Sequence, residues 1–198
     1  MQSVSYFIVK PKKTRYTNNK SISGTELILN TDNFNHRYVS KVAIVMSVPT
    51  TEETDIQVGD EVIVHHNVFR RWKDIRGIEK NSKSYYKDNM YFVLSDQIFM
   101  YKRKDKWKAT ESFCFVKPIK SNDIYSVEKE QPLIGVLKYA DKMLNSFGLK
   151  AGDLVGHQPN TEYECIVEGE RLYRIFSKSI TMKYEYQGNE EEYNPSWA

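Results

Sequence analysis

Ile56-Gln57-Val58-Gly59-Asp60-Glu61-Val62 has a second version later in the chain, Leu149-Lys150-Ala151-Gly152-Asp153-Leu154-Val155. Both put a Gly-Asp pair directly ahead of an apolar run. Glycine reaches positive φ without steric cost, and aspartate can bond its own backbone, so the pair marks a turn that feeds a strand. Two more pairs flank it. Tyr6-Phe7-Ile8-Val9-Lys10-Pro11 matches Phe113-Cys114-Phe115-Val116-Lys117-Pro118. Tyr91-Phe92-Val93-Leu94-Ser95-Asp96-Gln97-Ile98 matches Tyr173-Arg174-Ile175-Phe176-Ser177-Lys178-Ser179-Ile180. The pairs keep the same order in both halves, which predicts a duplicated β-domain with a boundary near Lys108–Glu111.

The remaining chain supports strands. Short runs rich in β-branched and aromatic residues lie at Tyr6–Val9, Val42–Val48, Glu61–Val64, Met90–Leu94, Ile98–Tyr101, Ser112–Val116, Leu133–Leu137, Tyr163–Val167 and Leu172–Phe176. Gly, Asp, Asn or Pro separate them. Proline cannot donate to a ladder, so each Val-Lys-Pro is expected to end its strand. Only Leu137–Leu144 reads as a helical turn or two. The 14 tyrosines fit a pleated, half-buried surface. The fold class expected is all-β, built as barrels or sandwiches.

The 198 residues suit one large domain or two small ones. A net charge of +3 is too small to argue for nucleic acid by itself. Cys114 and Cys165 give neither a disulfide framework nor metal spacing, and reduced thiols are the reading. Met1-Gln2-Ser3-Val4 does not open a secretory signal, and no apolar run is long enough to span a bilayer. There is no Gly-rich phosphate loop, no Gly-x-Ser-x-Gly and no paired-histidine zinc motif, so no enzyme activity, cofactor or metal is expected. Asp60 and Asp153 read as turn residues, not acids.

The halves differ in their loops. The first carries a long polar segment, Lys12–Lys41, holding the aliphatic triplet Leu27-Ile28-Leu29 after Gly24. The second has only Lys120–Pro132 there, with no triplet. The first also inserts His65–Asn89, where Phe69, Arg70, Arg71 and Trp72 mix positive charge with stacking surface. His65 and His66, adjacent on a strand, point to opposite faces and make a poor metal pair. The residues Gln187–Ala198, with Glu190-Glu191-Glu192, read as a flexible acidic tail.

Taken together, these blocks resemble the GroES-type co-chaperonins, the lids of chaperonin cages. The family pattern is matched by Phe7–Lys10, Gly24 with Leu27–Leu29, Lys41–Val48, Val58–Asp60, Val62–Val64 and Tyr91–Ile98. The match covers nearly all of the first half, and the second more thinly. It implies two tandem GroES-like β-barrels: residues 1–109 with a mobile loop at about 14–40 and a basic insertion at 65–89, then a reduced barrel at 110–186 and the tail at 187–198.

The resemblance also implies function. Gly24, Leu27, Ile28 and Leu29 would bind the apical domains of a GroEL-type chaperonin, helping an unfolded client to fold. The chains would form a homo-oligomeric ring, heptameric if seven chains stack two tiers. Phe69, Arg70, Arg71 and Trp72 would face the cavity or a subunit interface. The family's roof hairpin has no counterpart, since Pro49–Asp55 is short. Bacteriophage-encoded lids without a roof are therefore the closer comparison, and the expected location is the cytoplasm, that of the host for a phage-encoded chain. Two rivals stand beside this: a phage virion or assembly ring protein on the same barrels, and a single-strand-binding module using Arg70–Arg76. The interspersed Asp74, Glu79 and Asp88 weigh against nucleic acid.

Overall fold

A computed structural model describes residues 2–16, 19–22, 25–28, 37–121 and 129–196, with 19–22 and 25–28 described by their backbone. The chain divides into unit 1, Met1–Trp107, and unit 2, Lys108–Ala198. The strands in unit 1 are β1 (Phe7–Pro11), β2 (Asn19–Ile22), β3 (Thr25–Ile28), β4 (Val42–Ser47), β5 (Glu61–Val64), β6 (Trp72–Lys73), β7 (Glu79–Lys80), β8 (Tyr91–Val93) and β9 (Ile98–Arg103). β10 (Lys106–Ala109) straddles the boundary. β11 (Phe113–Lys120), β12 (Glu130–Tyr139), a short helix α1 (Lys142–Ser146), β13 (Leu154–His157), β14 (Tyr163–Val167), β15 (Glu170–Phe176) and β16 (Ile180–Tyr184) follow. The protein is all-β, and among the described residues no helix is long and apolar enough to cross a membrane.

The first sheet runs β10-β9-β5-β4-β1-β8 and the second β14-β15-β11-β12-β13-β16. Read from the other edge, the second contains β16-β13-β12-β11-β15, which is β9-β5-β4-β1-β8 strand for strand. The match extends to register. Lys10 faces Ile44 and Pro11 faces Ala43; Lys117 faces Val136 and Pro118 faces Gly135. A bulge interrupts the ladder between Ile8 and Val9, and another between Phe115 and Val116. A second pair of bulges falls at Ile63/Val64 and Gly156/His157. The quoted repeat blocks thus occupy equivalent strands.

The two Gly-Asp turns are bonded alike. Asp60 Oδ2 accepts from the Gln57 N–H at 2.8 Å, and Asp153 Oδ2 from the Lys150 N–H at 2.9 Å. Gly59 and Gly152 have φ of 93° and 94°, a region that disfavours any side chain.

Neither six-stranded sheet closes on itself among the described residues. β10 and β8 are the edges of one, β14 and β16 of the other. The barrels expected from the sequence are therefore open sheets, extended by a hairpin strand at opposite edges: β10 beyond β9, and β14 beyond β15. In unit 1 the place of β14 holds a rudiment, where Tyr85 bridges Tyr91 and the Phe92 N–H donates to the Ser84 carbonyl at 2.7 Å.

Three local expectations differ from the structure. The helical turn expected at Leu137–Leu144 starts later, because β12 pairs with β11 as far as Tyr139. Asp141 then caps α1, its Oδ1 accepting from the Leu144 N–H at 2.9 Å. Pro11 ends β1, but β11 runs past Pro118 to Lys120. Beyond Pro118 it pairs with β12 through Lys120 and Glu130, and its other contacts are with the C-terminal segment expected to be a free tail. The Tyr193 N–H donates to the Pro118 carbonyl at 2.8 Å, Ile119 bridges Glu192, and the Lys120 N–H donates to the Glu191 carbonyl at 2.7 Å. Lys138 and Glu192 pair at 2.8 Å, and buried Lys117 donates its Nζ to Asn194 Oδ1 at 2.7 Å. Residues 191–194 are thus laid along β11 rather than free.

Candidate interaction site

The loop between β1 and β4 holds the ribbon β2–β3. It pairs Asn19 with Ile28, Lys20 with Leu27, Ser21 with Glu26 and Ile22 with Thr25. The ribbon is a two-stranded sheet of its own, so Leu27 and Ile28 are not members of the six-stranded ladder. Gly24 and Leu29 lie outside the described residues.

The base of this loop is tied at both ends. Tyr16 bridges Val39, the Ser40 N–H donates to the Arg15 carbonyl at 2.8 Å, and Val39 is buried. The fixing partner is the 65–89 insertion. Arg15 donates Nη2 and Nε to the Phe69 carbonyl at 2.9 and 3.2 Å, and Nη1 to Asn81 Oδ1 at 2.7 Å. The Arg71 N–H donates to the Tyr16 hydroxyl at 2.7 Å, with its guanidinium over the Tyr16 ring.

The four residues singled out in that insertion therefore separate. Phe69 is fully buried, edge-on to Tyr91 with centroids 4.8 Å apart, in the cluster that holds Val9, Val39, Val64 and Val68. It serves the interior of unit 1, because the 66–68 turn, whose C-terminal end is Phe69, lays the ring against Tyr91. Arg70 is half-buried beside it. Arg71 pairs with Glu79 at 2.6 Å.

Only Trp72 stays on the surface, 48% exposed, on the small ribbon β6–β7, with its indole N–H donating to the Asn81 carbonyl at 3.0 Å. Lys80 and Asp74 pair at 3.8 Å, so part of the ribbon's positive charge is met locally. His65 caps the 66–68 turn through Nδ1, which accepts from the Asn67 N–H at 3.1 Å, and its ring stacks on His66.

Sequence reading missed Arg15 and Tyr16, assigning both to the mobile loop. A signal was present: Tyr16 and Tyr38-Val39 bracket the polar stretch, as the two legs of a stalk would.

No protein-family model matches this chain, and no curated protein matches it.

Proposed function

We propose that this protein is a co-chaperonin-like lid, in which each open six-stranded sheet is a variant of the GroES-type barrel. The observation that carries the reading is an asymmetry. Two sheets share strand order and bulges, yet among the described residues only the first hangs a ribbon bearing Leu27 and Ile28 between its first two strands, from a stalk clamped by Arg15 and Tyr16. Leu27, Ile28 and Leu29, with Gly24 beside them, engage the apical domains of a GroEL-type chaperonin. An aliphatic side chain buried there contributes about 1.5–3 kcal/mol, partly offset by ordering the loop. One loop binds weakly; several on a homo-oligomeric ring bind together through effective concentration. The lid itself needs no cofactor and catalyses nothing; it acts in the cytoplasm on an unfolded client, with ATP used by the chaperonin.

Co-sedimentation with a bacterial chaperonin, with and without ATP or ADP, tests this. Binding should depend on nucleotide and vanish with Ile28→Ser, while the variant's melting temperature stays that of the parent. Should Ile28→Ser unfold the chain, the triplet is core. Should the parent never bind, the role is that of an assembly or virion ring component.

A further inference from the structure

The link from β5 to β8 also carries the ribbon β6–β7, and the tip of that ribbon is a built turn. Trp72 faces Lys80, and Lys73 faces Glu79. Beyond them the Asp74 N–H donates to the Ile78 carbonyl at 3.0 Å, and the Gly77 N–H to the Asp74 carbonyl at 2.9 Å. Asp74 Oδ1 accepts from the Arg76 and Ile78 N–H groups at 2.9 and 3.0 Å. The base is fixed too, since the Trp72 indole donates to the Asn81 carbonyl and Arg15 holds the Asn81 side chain. Held at both ends, the ribbon presents its tip in one shape.

What that tip presents is apolar. Ile75 at the apex is fully exposed, and Ile78 is 51% exposed. Neither side chain takes part in the bonds that close the turn, so its shape does not call for isoleucine. One exposed aliphatic residue is ordinary on a surface. Here Ile78 shares a face of the ribbon with Trp72, because alternate residues of a strand face the same way. Around the apex stands positive charge. Lys73 and Arg76 are exposed. From Arg70 to Lys87 there are seven Lys or Arg against two carboxylates, an excess greater than the +3 of the whole chain. Both carboxylates are met within the ribbon, Glu79 by Arg71 at 2.6 Å and Asp74 by Lys80 at 3.8 Å. The basic character of the protein is thus concentrated on this one link, and the rest of the chain is acidic on balance.

The order of residues along the ribbon selects the partner. An aliphatic apex backed by cations and an indole repeats the layers of an anionic bilayer surface, where hydrocarbon lies inside and Trp and basic residues sit among headgroups. Trp72 is three residues behind Ile75, roughly 10 Å of extended chain. That is the depth, about 5–10 Å, to which interfacial elements sink. Arg76, beside the apex, can lay its stem along the apolar surface and return its charge to the headgroups. Single-stranded nucleic acid would take stacking rings and charge but leave the aliphatic apex in water.

We propose that the β6–β7 ribbon docks unit 1 on an anionic membrane surface, with Ile75 and Ile78 entering the headgroup–acyl boundary and Lys73 and Arg76 meeting lipid phosphates. The inference is independent of the lid reading.

The test is co-sedimentation of the full chain with phosphatidylcholine vesicles, with and without phosphatidylglycerol. Binding is expected to the anionic vesicles and to weaken as salt is raised. Arg76→Ser weakens it about fivefold, the worth of one basic residue at such a surface. Ile75→Ser weakens it about tenfold, with the melting temperature of the parent, because the side chain is fully exposed. Lipid brominated on the acyl chain quenches the tryptophan fluorescence of the parent, and Trp72→Phe loses that quenching. Equal binding to neutral vesicles, unchanged affinity in Ile75→Ser, or quenching that persists in Trp72→Phe overturns the proposal. Binding to a single-stranded oligonucleotide or to polyglutamate as tight as to anionic vesicles also overturns it, by assigning the ribbon to nucleic acid or to an acidic protein.

Discussion

Tyr91 and Tyr173 stand at the same place on two sheets of the same strand order, and what lies on top of them is opposite. Over Tyr91 the chain supplies its own ring, Phe69, pinned by Arg15 through the Phe69 carbonyl. Over Tyr173 no ring of the described residues sits in that way, and a cavity lies beside it. The strands are shared and the connections are not. A sheet face is sealed by whichever loop is long enough to return across it, and in unit 1 that loop is the link from β5 to β8, residues 65–90. The same insertion that seals unit 1 also clamps the stalk of the β2–β3 ribbon. Sealing and presentation are one device there, and the described residues of unit 2 show neither.

The largest expected effect comes from removing the seal. Phe69→Ala should destabilise unit 1 by about 3–5 kcal/mol, the cost of an emptied aromatic site, read from the urea midpoint of its unfolding. Added toluene should recover part of that loss, since a dry aromatic-shaped cavity takes a neutral ring. A loss below about 1 kcal/mol would show that Phe69 is not the plug.

Next comes the position where the units approach differently. Ala43 and Gly135 are register equivalents, but a Cβ on Gly135 would lie 2.4 Å from the Lys117 carbonyl oxygen and 2.6 Å from Val116 Cγ1. Gly135→Ala should cost about 1–3 kcal/mol by overpacking. Ala43→Gly should cost about 1 kcal/mol, mainly in backbone entropy. Equal costs in thermal melts would contradict the close approach of β11 and β12.

Tyr16→Phe removes one hydrogen bond from the clamp. The expected loss is about 1 kcal/mol, with faster hydrogen exchange at the Arg71 amide. Unchanged exchange there would mean the stalk is held without that bond.

The smallest effect concerns the twin turns. The hydrogen bond from Lys183 at 2.8 Å, and then the Lys150 N–H, hold the Asp153 carboxyl below its ordinary value of 3.8. A carboxyl lowered in the folded state adds stability above its unfolded pKa and loses it as pH falls through the folded one. Asp153→Asn should therefore cost about 0.5 kcal/mol at neutral pH for this partly exposed pair. Well below pH 3.8 that cost should disappear. A cost that persists in acid would assign it to the turn's hydrogen bonding instead of its charge.

The repeat was legible because turn chemistry is local. Gly59-Asp60 and Gly152-Asp153 need positive φ and a side-chain acceptor wherever they occur, and only certain residues supply both. The polar stretch holding Leu27-Ile28-Leu29 also stood out by pattern. Phe69 did not. An aromatic residue among arginines reads as surface in one dimension, since nothing local says that the segment turns back over Tyr91. The cavity in unit 2 was hidden for a related reason. His157 and Glu162 are unremarkable in sequence, and the cavity they line lies beside a bulge at 130–135. The C-terminal residues read as a tail because acidic charge suggests solvation, yet Glu192 finds Lys138, and Asn194 finds Lys117.

By itself, then, the sequence determined the all-β class, the duplication and the twin Gly-Asp turns, because strand patterning and turn geometry depend on residues a few positions apart. Tertiary structure alone decided that the sheets stay open, that Phe69 is a plug and that Tyr173 lies under a cavity. Those outcomes depend on which distant segment reaches a given sheet face or edge, and that reach is set by loop length and register across the whole fold.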